Sequence, residues 1–388
     1  MIVLALAALV FYTDDYVIAG VLPEIAGDLD VGVGVAGQLV TVFSLTVAVA
    51  APVAAIVLSR RQPRSVLAAA TGVFAGANLV AAVTPSFSVL ICARVLAALA
   101  AAAATPSIFA LAARLSPPER LGRYLAIVTF GVTGSIAVGV PLGTWLSAIG
   151  GWRATFGAMA VGGALVLLGF LTQLPSRAEL GAVQPVSAQM RVLASPRVSV
   201  GLAANIVLMF GSMMLLTYLS SFVDEVSAAT IGVRGVVFAV SGVAGMAGIW
   251  AGGHAVDRWG PDRALATGVL VFVVTMLAFA GMWVLRPVPV AVLYPLVMLW
   301  CGAAFWNSPA TQARLHLLAG ETATQALALN TSGTYIGVAV GGVVGGVIVG
   351  TVGPGLLPIA AVGAGVGTLL LFHLAARLAP VHYETTPG

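Results

Sequence analysis

The chain has 388 residues and a net charge of +4, and 60% of its residues are hydrophobic while only 8% are charged. A soluble globular domain usually carries about 25% charged residues, so this composition excludes that class. Apolar runs near the roughly 20 residues needed to cross a bilayer recur along the whole chain, and because no water is available there, we expect them to be helices.

The pattern predicts an all-α polytopic membrane protein with 12 transmembrane helices. The first span follows Met1 without a basic region or a small-residue cleavage site, so we interpret it as a retained helix rather than a removed signal peptide. The predicted spans are 2–23, 33–58, 65–84, 87–113, 122–147, 153–173, 198–223, 230–255, 263–284, 289–314, 325–350 and 355–378.

The longest polar interruption, residues 174–197, divides the spans into two equal groups. We therefore predict an N-terminal half at 1–173, a cytoplasmic linker at 174–197, and a C-terminal half at 198–388 that ends in a short tail. Similar Arg-rich turns, "LSRRQPRSVLAAATG" and "VDRWGPDRALATG", follow the second and the eighth span. They indicate a parallel repeat, a plan in which the substrate site lies near the bilayer midplane between the halves. The alternative is that any two cytoplasmic turns look alike.

The basic residues, all arginines, are distributed unequally between the two sides. The even-numbered connections and the C-terminus hold thirteen of the 17, whereas the odd-numbered connections hold only Arg153, Arg234 and Arg286. The positive-inside rule then places both termini in the cytoplasm. A basic balance suggests nucleic acid in a soluble protein, but here it reflects membrane orientation, and we expect no nucleic-acid partner.

Two adjacent carboxylates, Asp14 and Asp15, lie in the middle of the first span. A charged group at this depth is costly and normally faces an internal cavity that handles ions or substrate. Low dielectric disfavours the charged form, so such a group can bind and release a proton near neutral pH. Alternatively, the pair only hydrogen-bonds other helices, or it lies near a surface.

Arg94 is the one arginine that we assign to the interior of a span. Its counter-charge could be the aspartates of the first helix, if the first and fourth helices are neighbours. The alternative is an arginine that extends its side chain to the membrane surface. Two cysteines, Cys92 and Cys301, fall within spans, and we interpret them as small buried hydrophobic residues rather than a disulfide or metal site.

Polar and flexible side chains inside the spans are candidates for a substrate cavity. Met209 and Met213 would give the seventh span an adaptable apolar surface. Interhelical hydrogen bonding and core packing are the competing explanations. The remaining candidates are Tyr16, Gln38, Thr41, Asn205, Asn307, Gln312, Asn330 and Tyr335.

Two glycine-containing stretches are candidates for conformational change. In "GVTGSIAVGVPLG" of the fifth span, small residues recur every three or four positions, which allows close helix approach and sliding. "GIWAGGHAVDRWGPDR" ends the eighth span with charges that could latch one conformation or simply be solvated. The residues concerned are Gly139, Pro141 and Gly143 in the first stretch, and Gly253, Asp257, Arg258, Gly260 and Arg263 in the second.

No enzyme motif is found: the chain lacks a glycine-rich phosphate loop followed by Lys and Ser/Thr, an HExxH sequence and paired CxxC sequences. We therefore predict that it is not an enzyme and uses no cofactor or metal. An ion gradient remains as the energy source.

These residues resemble the major facilitator superfamily, and within it the twelve-span bacterial drug/proton antiporters. "DRWGPDR" is similar to the family's loop motif, and Gly139, Pro141 and Gly143 match the helix 5 motif associated with exporters. Arg94 falls where the family has a helix 4 arginine implicated in proton coupling, and Asp15 falls where many relatives carry an acidic residue. The turn after the second span departs from the pattern, with Arg60 and Pro63 in place of Asp and Gly.

The resemblance implies a major facilitator fold in the bacterial cytoplasmic membrane. We expect a monomer that exports a small organic molecule, drug or metabolite, in exchange for protons by alternating access. Asp15 would carry the proton, Asp14 would be its neighbour, and Arg94 would tune both. A proton-linked importer of sugar or another nutrient, a uniporter, and a non-transporting receptor or scaffold remain alternatives.

Overall fold

The computed structural model describes residues 1–58, 61–117, 120–174 and 192–378. It contains 12 helices long and apolar enough to cross a membrane. In chain order they are α1 Ile2–Asp28, α2 Val33–Val57, α3 Pro63–Val83, α4 Phe87–Arg114, α5 Arg123–Gly150, α6 Trp152–Gln173, α7 Pro196–Thr217, α8 Ile231–Trp259, α9 Pro261–Val284, α10 Val290–Ala319, α11 Ala323–Val352 and α12 Leu357–Arg377.

Local sequence explains several helix boundaries. Pro63, Pro196 and Pro261 stand in the first turn of α3, α7 and α9, where the missing N–H would have had no partner. Gly260 has φ +79° between α8 and α9, and Gly151 has φ +73° between α5 and α6. Glycine adopts this backbone without steric cost, so both turns are tight.

Within the described residues three helices are interrupted inside their spans, and in α2 the interruption is a single turn residue, Gly37, between Val33–Ala36 and Gln38–Val57. α5 contains a π-helical segment at Ser135–Gly139, and such segments often occur at functional sites. α7 ends at Thr217, and after Tyr218 a short helix, Leu219–Ser227, continues to the start of α8. The seventh span was predicted to run unbroken to residue 223, so the break at Tyr218 corrects that prediction.

The helices form two six-helix halves. Within the first half α3 packs along α4 and α6, and within the second α7 packs along α11 and α12 and α8 along α10. Between the halves the main contacts join α2 to α11 and α5 to α8. Most of the predicted linker, 175–191, lies outside the described residues, as does Arg60.

The structure corrects the interpretation of three residues. Arg234 and Arg314, assigned to connections, lie inside α8 and α10 and are only 6% and 7% exposed, so Arg94 is not alone in a span. Each has an acidic partner: Arg234 pairs with Glu24, and Arg314 Nε lies 3.0 Å from Asp262 Oδ1. Cys92 is exposed on the outer surface of α4, whereas Cys301 is buried as expected.

Candidate functional site

Asp14 forms a buried ion pair with Arg94. Arg94 Nη1 donates to Asp14 Oδ2 at 2.7 Å, and Nη2 donates to the Asp14 carbonyl at 3.1 Å. The guanidinium also lies over the ring of Phe43, 4.4 Å from its centroid. Both charged side chains are almost completely buried, at 1% and 0% exposure. The first and fourth helices are therefore neighbours, and the explanation in which Arg94 extends to the surface is wrong.

Asp15 occupies a different environment from Asp14. Adjacent residues project about 100° apart around a helix, so the two carboxylates face different neighbours. Asp15 lines a cavity between the halves, and its Oδ2 accepts a hydrogen bond of 3.3 Å from the Tyr335 hydroxyl of α11. Asp14 does not line that cavity. Of the two carboxylates, Asp15 is thus the one that a ligand can reach.

The cavity has a volume of about 350 Å³ and lies between α1, α2 and α5 of one half and α7, α10 and α11 of the other. This is within the size range of small-molecule sites. The wall from the first half consists of Tyr12, Asp15, Tyr16, Ala19, Val40 and Val132. The wall from the second half is richer in amides and hydroxyls: Asn205, Met209, Met213, Leu216, Thr217, Ala304, Phe305, Ser308, Thr311, Gln312, Leu327, Asn330, Thr331, Thr334, Tyr335 and Val338.

Most of the predicted cavity residues line this space, namely Tyr16, Asn205, Met209, Met213, Gln312, Asn330 and Tyr335. Three predicted residues do not line it. Gln38 Nε2 donates to the Gly34 carbonyl at 3.2 Å, and Thr41 Oγ1 donates to the Ala339 carbonyl of α11 at 3.5 Å, so both serve helix contacts. Asn307 is fully buried against α9, near Gly268.

Several cavity residues were not identified from the sequence, although a signal was present. In α1 the lining positions are 12, 15, 16 and 19, which is the spacing of one helix face. In α11 they are 327, 330, 331, 334, 335 and 338, the same periodicity, and four of these six residues carry a hydroxyl or an amide. Extending the face of Asp15 by one turn would have found Tyr12, and extending that of Asn330 would have found Thr331 and Thr334.

The small residues of α5 allow two close helix contacts. Gly139 faces Thr13 of α1, where a Cβ would come within 2.8 Å of its Cγ2 atom, and Gly143 faces Val17 in the same way. Pro141 is buried two residues beyond the end of the π-helical segment. On the opposite side, Gly242 of α8 lies against the backbone of Ile136 and Ala137. α5 is therefore packed closely between α1 and α8, with its glycines against side chains of α1 and its own backbone against Gly242 of α8.

The predicted latch at the end of α8 is not formed in this structure. Asp257, Arg258 and Arg263 are exposed and make no ion pair within the described part of the chain. Gly253 has open space beside it, and Gly260 provides the turn to α9. The ion pair that stabilises this end of the second half is Asp262 with Arg314.

The two halves meet closely at the end of the bundle opposite the chain termini, which we call the far end. Ser220 Oγ donates to the Ala19 carbonyl at 2.7 Å, and Trp145 Nε1 donates to the Gly232 carbonyl at 3.1 Å. Arg234 of α8 also pairs with Glu24 of α1. These three contacts, which we call the far-end seal, separate the cavity from the far end.

Comparison with solved structures supports the same architecture. A D-xylose–proton symporter superposes with a TM-score of 0.78 at 16% identity, covering 97% of each chain. A bacterial homologue of the human lysosomal transporter Spinster, inward-facing and occupied, gives a TM-score of 0.75 at 17% identity over 97% of this chain and 96% of that one. At these identities the likeness concerns the fold.

Sequence relatives cover nearly the whole chain. A chloramphenicol resistance protein of Streptomyces lividans is 32% identical over 96% of this chain and 95% of its own. The inner membrane transport protein YdhP of Escherichia coli K12 is 28% identical over 98% and 96%. The chloramphenicol efflux pump Rv0191 of Mycobacterium tuberculosis H37Rv is 27% identical over 87% and 82%.

The family model of the Major Facilitator Superfamily matches residues 4–324. With two six-helix halves around a central cavity, the protein is a multi-pass inner membrane transporter and not an enzyme. The chain belongs to the Major Facilitator Superfamily.

Proposed function

We propose that this transporter exports a small organic compound in exchange for protons, and that Asp15 carries the proton. The observation that supports this most directly is the different environment of the two aspartates. Arg94 neutralises Asp14, whereas Asp15 faces the cavity with a tyrosine hydroxyl as its partner. A cavity-facing acid at mid-membrane depth suits binding and release of a proton during each cycle. No cofactor is needed, because the proton gradient supplies the energy.

We further propose that both termini are cytoplasmic. The described arginines at the termini end of the bundle outnumber those at the far end, which are Arg153, Arg234 and Arg286. This asymmetry agrees with the positive-inside rule. The far-end seal then closes the cavity from outside, so this conformation is the one that accepts substrate from the cytoplasm. The proposed working unit is the monomer, since both walls of the cavity come from one chain.

Chloramphenicol is the first substrate to test, because two relatives are named for resistance to it or its efflux. Its chemistry suits the cavity: it is a neutral molecule with an aromatic ring, two hydroxyls and an amide. Tyr12, Tyr16 and Phe305 offer aromatic surface, while Asn205 and Asn330 offer amide donors and acceptors. We propose a neutral or weakly cationic amphiphile as the substrate class.

The test is transport by purified protein in liposomes that contain a pH-sensitive dye. We expect the wild type to move protons when chloramphenicol is added and to concentrate the drug against its gradient when a proton gradient is imposed. Asp15→Asn should still bind the drug but move no protons. Asp224→Asn, which removes an exposed acid outside the cavity, is the matched control and should behave like the wild type.

Each alternative predicts a different result. Drug movement that follows its own gradient with no proton flux would indicate a uniporter, and co-directional movement of drug and protons would indicate an importer. Binding without movement would indicate a receptor. If Asp15→Asn still couples normally, another group carries the proton and the proposed carrier is wrong.

A further inference from the structure

Tyr335 connects the two halves at the proposed proton carrier. It belongs to α11 of the second half, yet its ring packs against the buried core of the first half, beside Phe11 and Phe43. Its hydroxyl donates to Asp15 Oδ2 at 3.3 Å. Tyr335 is therefore a side chain of one half that is inserted into the other and ends at the carboxylate.

The backbone around Tyr335 is held firmly within its own half. Asn205 Nδ2 of α7 donates to Thr334 Oγ1 at 3.1 Å, next to Tyr335 in the chain. Gly337 lies against the backbone of α7, where a Cβ would come within 2.6 Å of the Ile206 carbonyl oxygen. The tyrosine thus moves with the second half. Its hydrogen bond to Asp15 must break when a change of conformation separates α11 from α1 at the depth of Asp15.

The strength of this bond depends on the charge of Asp15. A hydrogen bond to an ionised carboxylate is roughly twice as strong as one to a neutral acceptor. The other ionisable groups near Asp15 in the described structure come from its own half: Asp14, Tyr12 and Tyr16 on α1, and Arg94 on α4. Tyr335 is hence the ionisable residue of the second half that responds to the proton on Asp15.

An antiporter must prevent one step in particular. The carrier has to change conformation when it holds a proton or a substrate, but not when it holds neither, because return of the empty, deprotonated carrier would let protons or substrate leak. An ionised Asp15 bound to Tyr335 is the state in which the halves are joined. A proton on Asp15 weakens that bond, and a substrate in the cavity can take the place of the hydroxyl.

We propose that Tyr335 is a positioning residue that holds the empty, deprotonated carrier in the conformation with a closed far end, and so prevents leak. This inference rests on the proposed proton antiport through Asp15. It assigns to Tyr335 a role in coupling rather than in binding substrate.

The test uses Tyr335→Phe, which keeps the ring and removes the hydroxyl. In liposomes with an imposed proton gradient and no drug, we expect the variant to leak protons about tenfold faster than the wild type, the effect of losing one hydrogen bond to a charged group. Exchange of chloramphenicol between the two sides never uses the empty carrier, so the ratio of drug-free proton leak to drug exchange should rise about tenfold in Tyr335→Phe, even if the variant binds the drug with a different affinity. Tyr294→Phe, which removes a tyrosine hydroxyl outside the cavity, should not leak.

The outcomes separate this inference from the proposed function. If the wild type couples drug to protons but Tyr335→Phe exchanges drug without any proton leak, the role of Tyr335 is overturned and antiport stands. If the wild type itself moves no protons with drug, antiport fails and this inference fails with it. A variant that neither exchanges drug nor leaks would assign Tyr335 to substrate binding and would also overturn the inference.

Discussion

Neutralising Glu24 should open the far end of the bundle. Glu24 of α1 pairs with Arg234 of α8, so the ion pair exists only while the two halves are in contact there. In the closed state Arg234 is 8% exposed at its side chain and Glu24 23%. Neither Nε nor Nη1 of Arg234 has another partner in the described structure. Glu24→Gln would leave a buried, unpaired guanidinium in the closed state, whereas opening would hydrate it.

The size of the effect follows from this burial. Removing one partner of a fully buried ion pair costs about 3–5 kcal/mol, and a surface pair contributes about 0–1 kcal/mol. Because Glu24 keeps some contact with water, we expect an intermediate value of about 2 kcal/mol, or roughly a 30-fold shift toward the open far end. Arg234→Gln should shift it less, since the remaining carboxylate is partly hydrated. The double variant should be near the wild type, because it leaves no unpaired charge.

The assay is the distance between spin labels at Ser88 and Glu225, exposed positions on the two halves at the far end, after Cys92 and Cys301 have been replaced by alanine. Glu24→Gln should raise the fraction of molecules in which the two labels are far apart, which is the conformation with an open far end.

Asp28→Asn supplies the control for that measurement. It breaks the Asp28–Arg153 pair, which lies at the same end but within one half and is 45% and 33% exposed. The reasoning is refuted if Asp28→Asn opens the far end as much as Glu24→Gln, or if the double variant opens it more than either single variant.

Three further predictions concern stability, packing and substrate. Arg94→Met should lower the free energy of unfolding by about 3–5 kcal/mol, because it leaves the buried Asp14 carboxylate without its partner. The double variant Arg94→Met with Asp14→Asn should recover most of this loss, which melting curves of the purified protein in detergent would show. An equal loss of stability in the single and the double variant would contradict the pairing of the two residues. Gly242→Val should abolish transport, because its side chain would overlap the backbone at Ala137 of α5, and a variant with normal transport would exclude the close approach. Asn330→Ala should weaken chloramphenicol binding about 2- to 13-fold with little change in turnover, since an amide hydrogen bond contributes about 0.5–1.5 kcal/mol. Unchanged binding would remove Asn330 from the site.

The sequence was sufficient for the architecture because each span is a local feature. Hydropathy over a window of about 20 residues depends only on neighbouring residues, and all twelve predicted spans correspond to helices. The observed end of α1 differs from the predicted one because of ion pairs between helices. The helix continues beyond residue 23 through Glu24 and Asp28, since both side chains have arginine partners on other helices. The sequence could not show those partners.

The direction in which a side chain points was harder to predict. In helices that are apolar on every face, no amphipathic pattern distinguishes the side toward lipid from the side toward the cavity. Asp15, Tyr16 and Asn330 line the cavity in the structure, in keeping with the reasoning that polar atoms in a membrane need an internal partner or water. The same reasoning placed Asn307 there wrongly, since it cannot tell a cavity from a helix contact.

The sequence by itself determined that this chain is a twelve-span membrane protein with an acidic pair in its first helix. The length and the hydropathy of each span are local properties, because they depend only on residues that are neighbours in the chain. Only the tertiary structure decided that Arg94 neutralises Asp14, that Asp15 faces the cavity, and that Arg234 closes the far end on Glu24. These contacts join residues 80 to 320 positions apart in the chain. They depend on how twelve helices pack together, which the pattern of any single helix does not contain.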